Sequence, residues 1–93
     1  MDKELLKLVY SYKNIIENRD YSSIWITRSV LTETQKGEPV TLTSYYLSER
    51  HFSGPEVDWN TIMKLSYDDA KYLIENNIIK PWLSVGDDFK NNE

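Results

Sequence analysis

The spacing of the apolar residues changes near residue 20, and this change constrains the fold more than any other feature of the chain. Between residues 2 and 18, apolar side chains recur every three or four positions, as in an amphipathic helix. From Tyr21 to Leu31, and again from Val40 to Leu47, β-branched and aromatic residues dominate, which favours strands. With 93 residues and no cysteine, both kinds of element must share one small core.

Both predicted helices carry recognisable start signals. Asp2 is a suitable N-cap for the first helix, whose apolar stripe we expect to comprise Leu5, Leu8, Val9, Tyr12, Ile15 and Ile16. The second helix begins after Ser66, with Asp69 placed to complete a capping box. Asn76 and Asn77 end it, because asparagine tolerates the left-handed conformation.

A hairpin is predicted between the two helices, with residues 35–39 as its turn because they contain Gly37 and Pro39. An odd-length loop would place Ile24, Ile26 and Val30 on one face together with Val40, Leu42 and Tyr46. The other face would then carry Trp25, Leu31, Tyr45 and Leu47. Because that second face is half apolar, we expect both faces to be covered, one of them by a partner chain.

The remaining segments extend this pattern. Residues 49–57 are predicted as a loop, residues 59–64 as a short third strand and residues 79–83 as an extended segment. The predicted class is α+β: an N-terminal helix, an antiparallel hairpin extended to a three- or four-stranded sheet, and a second helix near the C-terminus. Residues 1–83 form one globular domain and residues 84–93 a polar, acidic tail. We expect the core to contain Leu5, Leu8, Val9, Tyr12, Ile16, Ile24, Ile26, Val30, Leu42, Ile62, Ala70, Ile74 and Ile78.

The sequence is poor in catalytic and metal-binding groups. There is no cysteine, His51 is the only histidine, and the three glycines are isolated rather than grouped in a phosphate-binding loop. The run Glu56-x-Asp58-x-Asn60 begins like a calcium loop, but the glycine and glutamate that should follow are absent. We therefore expect a protein that is not an enzyme and holds no cofactor or metal.

The negative charge is confined to the second part of the chain. Residues 1–55 carry equal numbers of acidic and basic residues, so residues 56–93 account for the whole net charge of −4. Such a charge disfavours direct nucleic-acid binding and favours a partner with a basic surface. We expect the acidic residues Asp58, Asp68, Asp69 and Glu75 to attract this partner electrostatically. In one form of this hypothesis, their carboxylates imitate the phosphates of a nucleic acid.

Aromatic residues make up 13% of the chain, more than so small a core can hide. Tyrosine, tryptophan and arginine are the residues that most often dominate protein interfaces. The hairpin and the segment after it hold the densest group. The predicted interface therefore comprises Tyr45, Tyr46, Arg50, Phe52 and Trp59.

These observations predict a small, acidic, non-catalytic protein-binding protein. Its composition, rich in Ile, Asn, Lys and Tyr, is typical of AT-rich genomes, so we expect a phage or mobile-element protein that binds and inhibits a host or defence protein. The alternatives are a toxin-immunity protein, a small hydrolase using His51, and a nucleic-acid-binding protein using Arg19, Arg28, Lys36 and Arg50. A homodimer is compatible with each.

The sequence also predicts the compartment. It has no long apolar run that would span a membrane, and its first residues lack the pattern of a signal peptide. We therefore expect a cytoplasmic protein that makes no contact with membranes.

Overall fold

The computed structural model describes residues 1–83, which form two helices and one four-stranded sheet. The elements, in chain order, are α1 (Lys3–Glu17), β1 (Ser22–Gln35), β2 (Glu38–Ser53), β3 (Glu56–Leu65), α2 (Tyr67–Glu75) and β4 (Lys80–Pro81). The strand order is β3-β2-β1-β4, in which β4 alone runs parallel to its neighbour. The predicted α+β class is confirmed, and the predicted tail at 84–93 lies outside the described residues.

The turn between β1 and β2 is shorter than the sequence suggested. It consists of Lys36 and Gly37 alone, with φ angles of 51° and 79°, and the pair Gln35–Glu38 closes it. Two positive φ angles in a two-residue hairpin turn are the mark of type I′, whose twist matches that of the flanking strands. Glycine adopts this conformation without the steric cost that a Cβ imposes.

This turn overturns the predicted faces of the hairpin. A two-residue turn pairs Ile26 with Leu47 and Arg28 with Tyr45. Opposite residues of an antiparallel pair point to the same face, so a slip of one position exchanges the two faces of β2. Tyr45 and Leu47 therefore lie in the core with Ile26, whereas Leu42 and Tyr46 lie on the other face.

The prediction of a loop over residues 49–57 is also wrong. β2 continues to Ser53, a second two-residue turn follows at Gly54 and Pro55, and β3 begins at Glu56. Gly54 has a φ of 65°, and proline holds its own φ near −65°, a combination typical of a type II′ hairpin turn. Arg50 and His51 are consequently strand residues with fixed partners, not loop residues.

Both helices pack on one face of the sheet, and no helix of residues 1–83 covers the other. The core contains Val9, Ile16, Ile24, Ile26, Tyr45, Leu47, Leu65, Ala70, Leu73, Ile74 and Ile79. Of the core residues predicted from sequence, Leu8, Val30 and Leu42 are exposed instead, as is Ile15 of the predicted stripe. Leu8 and Ile15 each precede a buried residue of α1 by one position, which places them about 100° around the helix from the buried stripe.

The helix caps are those that the sequence predicts. The carboxylate of Asp2 accepts a hydrogen bond from the backbone N–H of Glu4 at 3.1 Å, and the hydroxyl of Ser66 accepts one from Asp69 N–H at 3.1 Å. Asn77 follows α2 with a φ of 56°. No helix of residues 1–83 is long and apolar enough to cross a membrane.

The hairpin extends well beyond the helices. Residues 30–43, here called the arm, are exposed apart from a half-buried Val40. The radius of gyration is 14.6 Å, whereas a compact chain of this length would have about 12 Å. The arm is thus a two-stranded ribbon that projects from the body of the protein.

Two leucines of β2 provide a test of this register. Leu47→Ala should lower the free energy of unfolding by ~2–5 kcal/mol, because it leaves a cavity in the core. Leu42→Ala removes the same atoms from an exposed side chain and should cost less than ~1 kcal/mol. Urea unfolding of both variants measures the difference. A larger loss for Leu42→Ala than for Leu47→Ala would contradict the register.

Candidate functional site

The sheet face opposite the helices, here called the open face, carries a cluster of aromatic side chains around an arginine. Alternate residues of β2 point to this face, among them Tyr46, Arg50 and Phe52. Trp25 of β1 and Trp59 of β3 lie on the same face by register. Trp82, which directly follows β4, completes the group. We call Trp25, Arg50, Phe52, Trp59 and Trp82 the Arg50 cluster.

The guanidinium of Arg50 lies against three aromatic rings. Its central carbon is 4.1 Å from the ring centroid of Phe52, 4.6 Å from that of Trp82 and 6.0 Å from that of Trp59. A planar, delocalised cation stacks on aromatic faces better than an ammonium does. Each such contact is worth ~0.5–2 kcal/mol, more as water is excluded. The rings therefore hold the cation in a defined position on the face.

A β-bulge determines that Trp59 belongs to this cluster. The register between β2 and β3 shifts after Leu47, so Ile62 is an extra residue in β3. Met63 points toward the helices, and simple alternation would send Trp59 the same way. The extra residue reverses the alternation and places Trp59 directly opposite Arg50.

Trp82 is anchored through its backbone. Its N–H donates a hydrogen bond to the carbonyl of Ile26 at 2.8 Å, which continues the parallel pairing of β4 with β1. Its indole contacts Trp25 and Trp59 edge-to-face, with centroid distances of 4.9 and 5.6 Å. Trp82 thus contacts one ring from β1 and one from β3, both on the open face. Each such ring pair adds ~0.5–1.5 kcal/mol of stability.

The cluster is ordered by internal contacts yet remains accessible. The side chains of Phe52, Trp59 and Trp82 are 41%, 41% and 44% exposed. The indole N–H of Trp25 donates to the hydroxyl of Ser23 at 2.7 Å, which fixes its ring. Large, partly exposed rings held in one arrangement lose little conformational entropy when a partner covers them.

The charges on the open face are mainly positive. Lys64 lies opposite Tyr46 and Lys80 lies beside Trp25. Within the strands that the structure describes, the carboxylates on this face are those of Glu33 and Glu38, both in the arm. The ion pairs of residues 1–83 join Lys13 to Glu17 and Arg19 to Glu49, so neither uses Arg50.

The structure separates the site residues predicted from sequence into two groups. Tyr46, Arg50, Phe52 and Trp59 come together on the open face. Tyr45 does not, because it is only 4% exposed and its ring packs against that of Tyr67, 5.7 Å away, on the helix side.

The four predicted acidic residues lie on the side of the sheet that bears the helices. Asp58 is opposite His51, Asp68 and Asp69 begin α2, and Glu75 ends it. The acids and the exposed aromatics therefore do not form one surface.

Sequence reasoning missed two members of the cluster, Trp25 and Trp82. Trp25 lies in the predicted first strand, and its alternation with Ile24 and Ile26 is the signal that places it on the open face. Trp82 joins the cluster only because β4 pairs in parallel with β1, more than fifty positions earlier in the chain. No local pattern specifies that pairing.

A second group of polar residues lies at the other end of the helix-covered face. Glu49 is 8% exposed, and its carboxylate accepts hydrogen bonds from Ser22, Arg19 and Asn60. Burial raises the pKa of Glu49, but these hydrogen bonds and the charge of Arg19 outweigh it and hold the pKa below its usual value of 4.5. Glu49 is therefore a buried carboxylate kept ionised by its neighbours.

Ser22 also contacts His51, with 2.8 Å between its Oγ and Nδ1 of the ring. Which of these two atoms donates depends on the tautomer of the imidazole ring. Together with the Arg19–Glu49 ion pair, this contact links β1, β2 and the end of α1.

Metal binding finds no support in the described part of the chain. Residues 1–83 contain no group of three or more His, Asp or Glu side chains placed to hold an ion. No protein-family model, curated protein or solved structure matches this chain.

The ionised state of Glu49 predicts a pH-dependent stability. A carboxylate whose pKa is lower in the folded than in the unfolded state stabilises the fold above about pH 4.5 and loses this contribution as the pH falls through the folded pKa. The wild type should therefore exceed Glu49→Gln in unfolding free energy at pH 7, and the difference should shrink toward about pH 3. Urea unfolding at a series of pH values measures it.

Glu17→Gln is the matched control, because that carboxylate is paired with Lys13 on an exposed helix surface. Its pH profile should follow that of the wild type. A stability difference between wild type and Glu49→Gln that stays constant from pH 7 to about pH 3 would contradict the assignment.

Proposed function

We propose that this chain is a non-catalytic protein that acts by binding another protein, and that the Arg50 cluster is the centre of its contact surface. The observation that supports this most is the position of Arg50 among Phe52, Trp59 and Trp82, on the sheet face that neither α1 nor α2 covers. Tryptophan and arginine are the residues most often found at the energetic centre of protein interfaces. Here they come from β2, β3 and the residue that follows β4, and their mutual contacts hold them in place before any partner arrives.

The charge of the open face indicates the chemistry of the partner. Arg50, Lys64 and Lys80 lie on this face, and in residues 1–83 no ion pair neutralises Arg50. A carboxylate from a partner would find a planar cation whose position the rings already fix. The open face therefore fits an acidic protein surface, whereas the charge of residues 56–93 favoured a basic one.

Binding through the aromatic rings of the open face and nucleic-acid mimicry would use opposite sides of the sheet. Mimicry requires carboxylates spaced along one surface, and it would use Asp58, Asp68, Asp69 and Glu75 on the helix side. Direct binding of nucleic acid would use the rings of the open face as stacking platforms. Among the described strands this face carries three bases, Arg50, Lys64 and Lys80, fewer than a nucleic-acid backbone site uses, so a protein partner is favoured. The inhibitory role in a phage or mobile element stays a prediction from sequence.

Affinity capture from cells of the natural source tests this proposal with a matched pair of variants. Trp59→Ala removes an exposed ring of the cluster, and Tyr72→Ala removes an exposed ring of α2 on the opposite side. Loss of a central interface residue costs at least ~2 kcal/mol, or roughly thirtyfold in affinity. We expect the partner to be lost with Trp59→Ala and retained with Tyr72→Ala.

Arg50→Lys refines the test, because it keeps the charge but loses the planar stacking group. We expect a clear loss of affinity for this variant too. Circular dichroism should show that all three variants remain folded. Capture of the same partner by Trp59→Ala and wild type, with loss in Tyr72→Ala or in variants of Asp68 and Asp69, would contradict the proposal and favour mimicry.

A further inference from the structure

The open face is positive at one end and negative at the other. Arg50 and Lys80 lie at the end that holds the Arg50 cluster, whereas Glu33 and Glu38 lie at the other end, in the arm. All four side chains point to one face, because β1 and β2 pair along their whole length without a shift of register. Within residues 1–83, neither carboxylate of the arm forms an ion pair.

Exposed apolar side chains lie at both ends of the same face. At the arm end, Leu31 is 58% exposed and lies opposite Leu42, which is 40% exposed. At the other end are the half-exposed rings of the Arg50 cluster. Between the two ends, the pair Ser29–Ser44 presents only small side chains. Exposed apolar patches with charged surroundings mark surfaces that bind other molecules.

The size of the face indicates how much of it an occupant covers. By register, the face comprises about twenty residues of the sheet, and a standard protein interface uses ~20–30 residues a side. The Arg50 cluster alone is much smaller than this. An occupant that makes a standard interface therefore covers both ends of the face and meets both signs of charge.

We propose that this occupant is a second copy of the chain, whose open face packs against the first with the strands of the two sheets antiparallel. A two-fold axis that lies between the sheets, perpendicular to the strands, generates this arrangement. Along β2, the residue halfway between Arg50 and Glu38 is Ser44, whose partner on β1 is Ser29. The axis therefore passes at the level of this pair, where small side chains let the two sheets approach to ~10 Å.

This axis brings opposite charges together. Each residue of β2 faces the residue of the second copy that lies equally far beyond Ser44. Arg50 consequently meets Glu38 of the second copy, and on β1 the same operation brings Glu33 to the level of Trp25, beside Lys80. Symmetry repeats both pairs. An axis parallel to the strands would place like ends of the face together, so the charges select the antiparallel arrangement.

The same arrangement covers the exposed leucines of the arm. Leu42 faces Tyr46 of the second copy, and Leu31 faces Thr27. Two strands alone are only marginally stable in water, whereas two sheets packed face to face share a core. The second copy thus supplies the apolar contacts that the arm lacks by itself.

This inference deepens the proposed function and rests on it for the role of the Arg50 cluster. A second copy would cover the cluster and compete with the partner, so binding of the partner would depend on the concentration of the chain itself. Glu38 lies outside the cluster. It therefore offers a means of removing self-association without changing the rings or the guanidinium that bind the partner.

Sedimentation equilibrium of the full chain tests the proposal. The mass should rise with concentration from 11.0 kDa toward twice that value. Glu38→Arg brings two cations together at both symmetric positions and should weaken self-association by more than ~tenfold. Glu56→Arg is the matched control, because it makes the same change of charge on the helix side of β3 and should leave self-association unchanged.

A mixture of two variants identifies the pairing. Arg50→Glu should also weaken self-association, because it brings two carboxylates together. In a mixed dimer of Glu38→Arg with Arg50→Glu, both contacts between these positions again join opposite charges. Mixing the two variants should therefore restore the dimer mass. Circular dichroism should show that each variant is folded.

Three results would overturn the inference. They are a wild type that stays monomeric up to ~1 mM, a dimer that persists in Glu38→Arg, and a mixture that stays monomeric when each variant alone is folded.

The proposed function is tested separately. Glu38→Arg should still capture the partner that the wild type captures, whereas Trp59→Ala should not. Loss of capture by Glu38→Arg as well would assign the arm to the partner instead of a second copy.

Discussion

The Lys36-Gly37 turn is the constraint on which the rest of the structure depends. Because strand side chains alternate with a period of two, the length of this turn decides which half of the side chains of β2 faces the helices. With two residues in the turn, Leu47 and Tyr45 enter the core, and Tyr46, Arg50 and Phe52 point away from it. A loop of three residues would exchange the two sets and place Arg50 against the apolar helices. Which side chains of β2 lie on the open face therefore follows from the two positive φ angles of this turn.

On the open face, aromatic rings hold the guanidinium of Arg50 in place, and no carboxylate of residues 1–83 forms an ion pair with it. The bulge at Ile62 turns Trp59 toward Arg50, and the parallel pairing of β4 brings Trp82 over the same face. Both features depend on pairing between distant residues. They place exposed aromatic rings on a face where polar side chains would be solvated more favourably. Their combined effect is a rigid, accessible, positively charged surface. Such a surface loses little entropy on binding, which is the physical basis of the function that we propose.

Sequence reasoning succeeded where the determining interactions are local. The caps at Asp2 and Ser66, the helical spacing and the β-branched runs act within a few residues, so both helices and the hairpin were predicted. It failed where one residue of turn length or one distant pairing decides the outcome. Tyr45 and Tyr46 are neighbours of similar chemistry, and only the register separates a core residue from a surface residue. Trp82 depends on a strand of two residues that pairs across the length of the domain.

The central claim is that the register of the hairpin assembles the Arg50 cluster on the open face, and nuclear Overhauser contacts in solution test it most directly. The account predicts contacts from the Trp82 indole to both Trp25 and Trp59, and contacts from the ring of Tyr45 to Tyr67. Contacts between the ring of Tyr45 and Trp59, with none between Trp82 and Trp59, would contradict it.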